Sequence, residues 1–159
     1  MHFVVRNTIC EMSGHISYLL TTRTGQGAVI IDPPHESSIA WQTLNADIQQ
    51  QNLCLSWVLH TCVDPIQLTA AKALKALHLC AQSAIGISDS HSCCSQFDRV
   101  FGPDGVIKVG HVTGRVVNQP ADNPSHAQYQ FDPYHFLGDS TATQPSNSAL
   151  DPIYLPRHA

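Results

Sequence analysis

The run from Leu53 to Leu59 is apolar at every position except Ser56, and it ends at His60-Thr61-Cys62-Val63-Asp64-Pro65. An apolar run without alternation describes a strand buried on both faces, in a sheet covered by helices. Helical spacing flanks it on both sides. Ala40, Trp41, Leu44 and Ile48 give an amphipathic helix over Ser37 to Gln50, and Ile66, Ala70, Ala73, Leu74 and Leu77 mark a second from about Pro65 to His78. Helix, buried strand and helix in succession form the unit of an α/β fold, which places ligands at the carboxyl ends of strands. His60 occupies such a place.

The remaining signals are strands. Ile16 to Thr21 and Ala28 to Ile31 flank the turn Thr24-Gly25-Gln26-Gly27 as a hairpin, the second strand ending at Asp32-Pro33-Pro34. Ala84 to Ile87, Val106 to Val109, Val112 to Val117, Tyr129 to Phe131 and Tyr134 to Leu137 read as further strands, the last two joined by an Asp132-Pro133 turn. Ser88 to Cys94 reads as a polar loop and Gln96 to Phe101 as a short amphipathic turn. The organisation expected is one domain over 1–140, followed by a polar tail over 141–159. That tail carries Pro145, Pro152 and Pro156 and runs extended or loosely packed.

Composition narrows the function classes. The 159 residues make one domain with an adequate core, and 43% of them are apolar. Asp, Glu, Lys and Arg are only 13%, near half of the usual share of about 25%. A net charge of −4 without a Lys/Arg run argues against nucleic-acid binding. No apolar stretch approaches the roughly 18 residues of a membrane span, and Met1 to Met12 lacks the basic and apolar regions of a leader, so a cytoplasmic protein is expected. Six cysteines without a C-x-x-C pair fit neither a zinc ribbon nor a disulfide framework. Ten histidines outnumber the eight Lys and Arg residues, which directs attention to metals and proton transfer.

Two further candidates stand at strand ends: His126 in Asn123-Pro124-Ser125-His126-Ala127 and Asp139 in Phe136-Leu137-Gly138-Asp139-Ser140. The order and setting of His60, His126 and Asp139 resemble the metallo-β-lactamase superfamily. Its H-x-H-x-D-H motif closes the corresponding strand, and a P-G-H-T type loop and a G-D turn follow. Ile16-Ser17-Tyr18-Leu19-Leu20, Ala28-Val29-Ile30-Ile31-Asp32-Pro33, Leu53 to His60, Ala84-Ile85-Gly86 and Ser95 to Phe101 are similar to the persulfide dioxygenase branch and to β-lactamase hydrolase-like proteins. The resemblance runs from about Phe3 to Ser140. It implies an α/β (α+β) fold, the αβ/βα sandwich of two facing mixed sheets with outer helices, shortened at the carboxyl end. One sheet would keep an exposed edge, which invites pairing with a second copy, so a homo-oligomer is expected.

Departures from the motif decide the chemistry that the resemblance implies. Its second histidine falls on Cys62 and its last on Pro65, and no late histidine follows Asp139 in a family-like setting. Proline has no donor atom. Two of three ligands of a second metal site are thus missing, which removes a working two-metal hydrolase. In persulfide dioxygenases a single iron is held by the residues matching His60, His126 and Asp139, and all three are present. Two histidines and a carboxylate suit non-haem Fe(II), which takes a thiolate-like substrate beside O₂. The substrate implied is a small thiol persulfide, glutathione persulfide in the family, oxidised to sulfite.

Other readings stand beside this one. Asp64-Pro65 has the pattern of a helix N-cap followed by proline at the first helical position. Cys62 is either a small buried thiol or, with His60 and His126, part of a Zn(II) site. The trio could also be metal-free, a relic whose polar groups bond one another in a silent relative that binds a partner or ligand. A zinc-dependent thioester or lactam hydrolase is the weakest alternative. His135 is read as incidental, Trp41 and Trp57 as core, and the adjacent Cys93 and Cys94 as surface thiols.

Overall fold

The computed structural model describes residues 2–86, 94–117, 127–137 and 153–154 of the chain. Two sheets face each other. The first has six strands in sequence order, β1 (Phe3–Ile9), β2 (Ile16–Thr22), β3 (Gly27–Ile31), β4 (Cys54–His60), β5 (Gln82–Gly86) and β6 (Arg99–Phe101). Pairing is antiparallel from β1 to β3 and parallel from β3 to β6. The parallel steps need crossovers; α1 (Ile39–Gln50) supplies the one from β3 to β4 and α2 (Pro65–Leu77) the one from β4 to β5.

The alternation of side chains along each strand divides the first sheet between two cores. Leu19, Ala28, Ile30, Leu55 and Val58 pack against Leu44 and Ile48 of α1 and Ala71 and Leu74 of α2. Tyr18, Leu20, Val29, Ile31, Trp57 and Leu59 turn the other way, onto the second sheet. Burial on both faces explains why β3 and β4 read as continuous apolar runs.

The second sheet is the antiparallel series β7 (Val106–Val109), β8 (Val112–Val117), β9 (Gln128–Phe131), β10 (Tyr134–Phe136) and β11 (Ile153–Tyr154). It gives the inter-sheet core Ile107, Val109, Val116, Tyr129, Phe131 and Phe136. Its edges among the described strands are β7 and β11, the latter drawn from the stretch read as a tail. Trp57 reaches across the sandwich and donates from Nε1 to the Lys108 carbonyl at 2.8 Å.

Several expectations need correction. Among the described strands only the first sheet is mixed; every described pairing in the second is antiparallel. Strand β1 lies where only the absence of a leader was read. The turn expected over Gln96 to Phe101 ends in strand β6. On α2 the buried face is Gln67, Ala70, Ala71 and Leu74, while Ile66 and Leu77 are exposed. Small alanines let α2 lie close to the sheet, so the buried stripe follows close approach rather than hydrophobic bulk. No helix among the described residues is long and apolar enough to cross a membrane.

Candidate metal centre

The carboxyl ends of β3, β4 and β5 meet the start of β9, and a set of buried hydrogen bonds ties them together. Asp32 follows β3 with a positive φ of 54°, a conformation that aspartate tolerates better than most residues. Its amide donates to the Leu59 carbonyl at 2.9 Å, and Ser17 Oγ donates to its carbonyl at 2.5 Å. The turn aims the carboxylate across the strand ends. There it accepts the Thr61 amide at 2.8 Å and the Thr61 hydroxyl at 2.6 Å.

Tyr129, fully buried on β9, closes the set from the second sheet. Its hydroxyl donates to the His60 carbonyl and accepts the Gly86 amide, the latter at 3.1 Å. The Ala127 amide donates to the Thr61 carbonyl at 2.6 Å. The residue after His60 is thereby bonded to the residue after His126. Close approach of the sheets here requires Gly86: a Cβ on it would lie 2.5 Å from a methyl of Val116.

His60 sits at the centre of these contacts with no exposed surface. Its ring packs edge-on against Phe97, with centroids 5.2 Å apart and planes at 63°. Neither ring nitrogen has a hydrogen-bond partner among the described residues. Burial lowers its pKa from 6.5 to about 4, against smaller opposing effects of the Gln67 side chain and Asp64. At neutral pH the ring is therefore uncharged and carries a lone pair, the form in which histidine binds metal. A buried imidazole with unused nitrogens fits a metal-ligand role, since buried polar groups are otherwise paired.

Asp64 and Pro65 have other work. Asp64 Oδ1 accepts the amides of Ile66 at 2.8 Å and Gln67 at 3.4 Å, and Pro65 takes the first position of α2. This is the cap-and-proline arrangement readable in the sequence, and it commits one oxygen of the Asp64 carboxylate to the helix terminus. Cys62 is half-buried. Among the described residues no three His, Cys, Asp or Glu side chains converge to hold a metal, so His60, Cys62 and Asp64 form no centre by themselves. His126 and Asp139 lie outside the described residues, as do Cys93 and the side chain of Cys94. His135 is on β10, half-buried, with an unpartnered Nε2 and a pKa lowered by burial and by Arg115.

Sequence reading missed Asp32, Gln67 and Tyr129 as members of this site. Gln67 is 3% exposed, and its Oε1 also lacks a partner among the described residues. One signal was available: a glutamine spaced three, four and seven residues before Ala70, Ala71 and Leu74 belongs to the buried stripe.

No family model matches the chain. In sequence it is 29% identical to a β-lactamase hydrolase-like protein of Xylella fastidiosa, over 86% of this chain and 37% of that protein. A second protein of that name, from another strain, is 29% identical over 79% of this chain and 34% of its own length. The chain thus spans about a third of these curated relatives. In structure it is similar to ETHE1 from Myxococcus xanthus, with a TM-score of 0.66 and 23% identity over 86% of this chain and 57% of that one. The B3 metallo-β-lactamase BLEG-1 gives a TM-score of 0.66 at 16% identity, over 86% and 72% of the two chains. A metallo-β-lactamase from Staphylococcus aureus gives 0.63 at 12% identity, over 85% and 37%. The chain has the metallo-β-lactamase-like αβ/βα fold, and its sequence relatives are β-lactamase hydrolase-like proteins.

Proposed function

We propose that this chain is a mononuclear metal protein of the persulfide dioxygenase type, with His60, His126 and Asp139 as ligands and Fe(II) as the metal. The observation that carries this reading is His60: neutral, fully buried and, among the described residues, with both nitrogens unpartnered at a strand end. The bond from Ala127 to Thr61 supports it, because it joins the neighbours of two of the three residues. Bound iron would supply an open coordination sphere for O₂ and a thiolate-like sulfur. The substrate class is a small thiol persulfide; with O₂ and water it gives the thiol and sulfite, which balances. Pro65, without a donor atom, and Asp64, whose Oδ1 caps α2, speak against a second metal and hence against a two-metal hydrolase.

The test is metal analysis of protein purified without added metal, then O₂ uptake with glutathione persulfide. Iron near one per chain, persulfide-dependent O₂ uptake and loss of both in His60→Ala are expected. Zinc near one per chain without O₂ uptake would transfer the site to the zinc reading with Cys62. Metal-free protein whose Tm does not move on adding Fe(II) or Zn(II) would overturn the proposal, since a ligand bound only by the folded state must stabilise it.

A further inference from the structure

The main chain at His60 is held from several sides, by Tyr129 on its own carbonyl and by Asp32 and Ala127 on Thr61. The ring is less constrained. Edge-on packing against Phe97 tolerates a half-turn about the outer side-chain torsion, which is close to two-fold in histidine and exchanges the nitrogen positions. A neutral imidazole has one donor and one acceptor nitrogen, and the partner of the donor decides which is which.

Beside the ring stands a second buried group without a partner among the described residues, Gln67 Oε1 on the first turn of α2. Its side chain acts on His60 as a hydrogen-bonding group that favours the protonated ring, while both ring nitrogens and Gln67 Oε1 are buried and otherwise without a partner among the described residues. An oxygen that only accepts and a ring N–H that only donates, both shielded from water, complete each other. The carboxamide's outer torsion is broad, so the oxygen can turn towards the ring N–H. The same pairing accounts for a glutamine in a helix stripe that otherwise buries Ala70, Ala71 and Leu74.

We infer that Gln67 is a positioning residue: its carboxamide oxygen accepts the ring N–H of His60, fixes one tautomer, and leaves the other nitrogen's lone pair to face a metal ion. The use of that lone pair rests on the metal reading above; the pairing does not.

Two readouts on the full chain test this. Long-range ¹H–¹⁵N NMR of the metal-free protein at pH 7 reports the His60 tautomer, and competition with a chromophoric chelator reports Zn(II) affinity. Wild type should show one tautomer. Gln67→Met, similar in length but without the acceptor, should show a mixture or the opposite tautomer and bind Zn(II) about 10- to 100-fold more weakly. Gln67→Glu, which keeps an acceptor, should retain the wild-type tautomer. A purely structural Gln67 would leave the tautomer of folded Gln67→Met unchanged, and that result overturns the inference. Should Gln67→Met not fold, a changed tautomer in Gln67→Glu overturns it and a retained one supports it. If wild type binds no Zn(II) at all, the metal reading fails alone and the tautomer comparison still decides the role of Gln67.

Discussion

The Tyr129 hydroxyl links the ends of β4 and β5: it gives its proton to the His60 carbonyl and takes one from the Gly86 amide. Tyr129→Phe keeps the ring and removes both bonds, leaving two buried main-chain groups without partners. Each such group costs about 1–3 kcal/mol. The variant should therefore lose roughly 2–6 kcal/mol in urea unfolding. A loss below about 1 kcal/mol would show that water replaces the hydroxyl.

Asp32 offers a cleaner substitution than most buried carboxylates. Its φ of 54° is accessible to asparagine, so Asp32→Asn preserves the turn while weakening the bonds to Thr61. A loss of about 1.5–3 kcal/mol is expected, the worth of a charge-assisted bond. Asp32→Ala should lose about 1 kcal/mol more, since alanine also pays for the left-handed backbone. Equal losses in the two variants would assign the whole effect to the hydrogen bonds.

Acid should destabilise the metal-free protein before its carboxylates titrate. His60 has an ordinary pKa of 6.5 when unfolded and about 4 when folded, so between these values the unfolded chain binds a proton that the folded chain refuses. Stability is complete above pH 6.5 and falls as pH drops towards 4, by about 3 kcal/mol at most. His78 and His135, lowered by burial, act in the same direction. His60→Leu removes the largest contribution, and urea unfolding from pH 7 to pH 4.5 should show a flatter profile, with the variant more stable than wild type at pH 5. A profile as steep as wild type would refute this account of His60.

Gly86→Ala places a methyl group 2.5 Å from a methyl of Val116, on the other sheet. Overpacking of this kind costs about 1–3 kcal/mol. Val116→Ala in the same chain should restore part of the loss, and a double-mutant cycle in thermal unfolding would measure that coupling.

Cys10 separates reactivity from access. Burial raises its thiol pKa, but the Ser13 side chain and the amides of His35, Met12 and Ser13 outweigh it and bring the value to about 7. The residue nevertheless has no exposed surface, whereas Cys54 and Cys80 are exposed. Brief iodoacetamide treatment at pH 7.5 followed by mass spectrometry should label Cys54 and Cys80 first. Prior labelling of Cys10 would mean that the 10–15 loop opens readily.

Much of the first sheet was legible because its signals are local. The apolar runs of β3 and β4, the spacing of Ala40, Leu44 and Ile48, and the cap at Asp64 are each read within a few residues. Strand β1 was not, because only Phe3 is fully buried along it while Arg6, Asn7 and Thr8 are not. The same division holds at the site. His60 announces itself by ending an apolar strand. Asp32 and Tyr129 act on partners 29 and 69 residues away, and their roles appear only once the strand ends are assembled.

The capped start of α2 also fixes the order in which a second metal position could be built here. Changing Pro65 to histidine would supply a donor, yet the neighbouring Asp64 oxygen already serves two amides of the helix. An incoming cation would have to unwind that first turn or share the carboxylate with it. Installing a new N-cap must therefore precede, or accompany, the return of the histidine; in this chain helix initiation and a two-metal centre compete for one side chain.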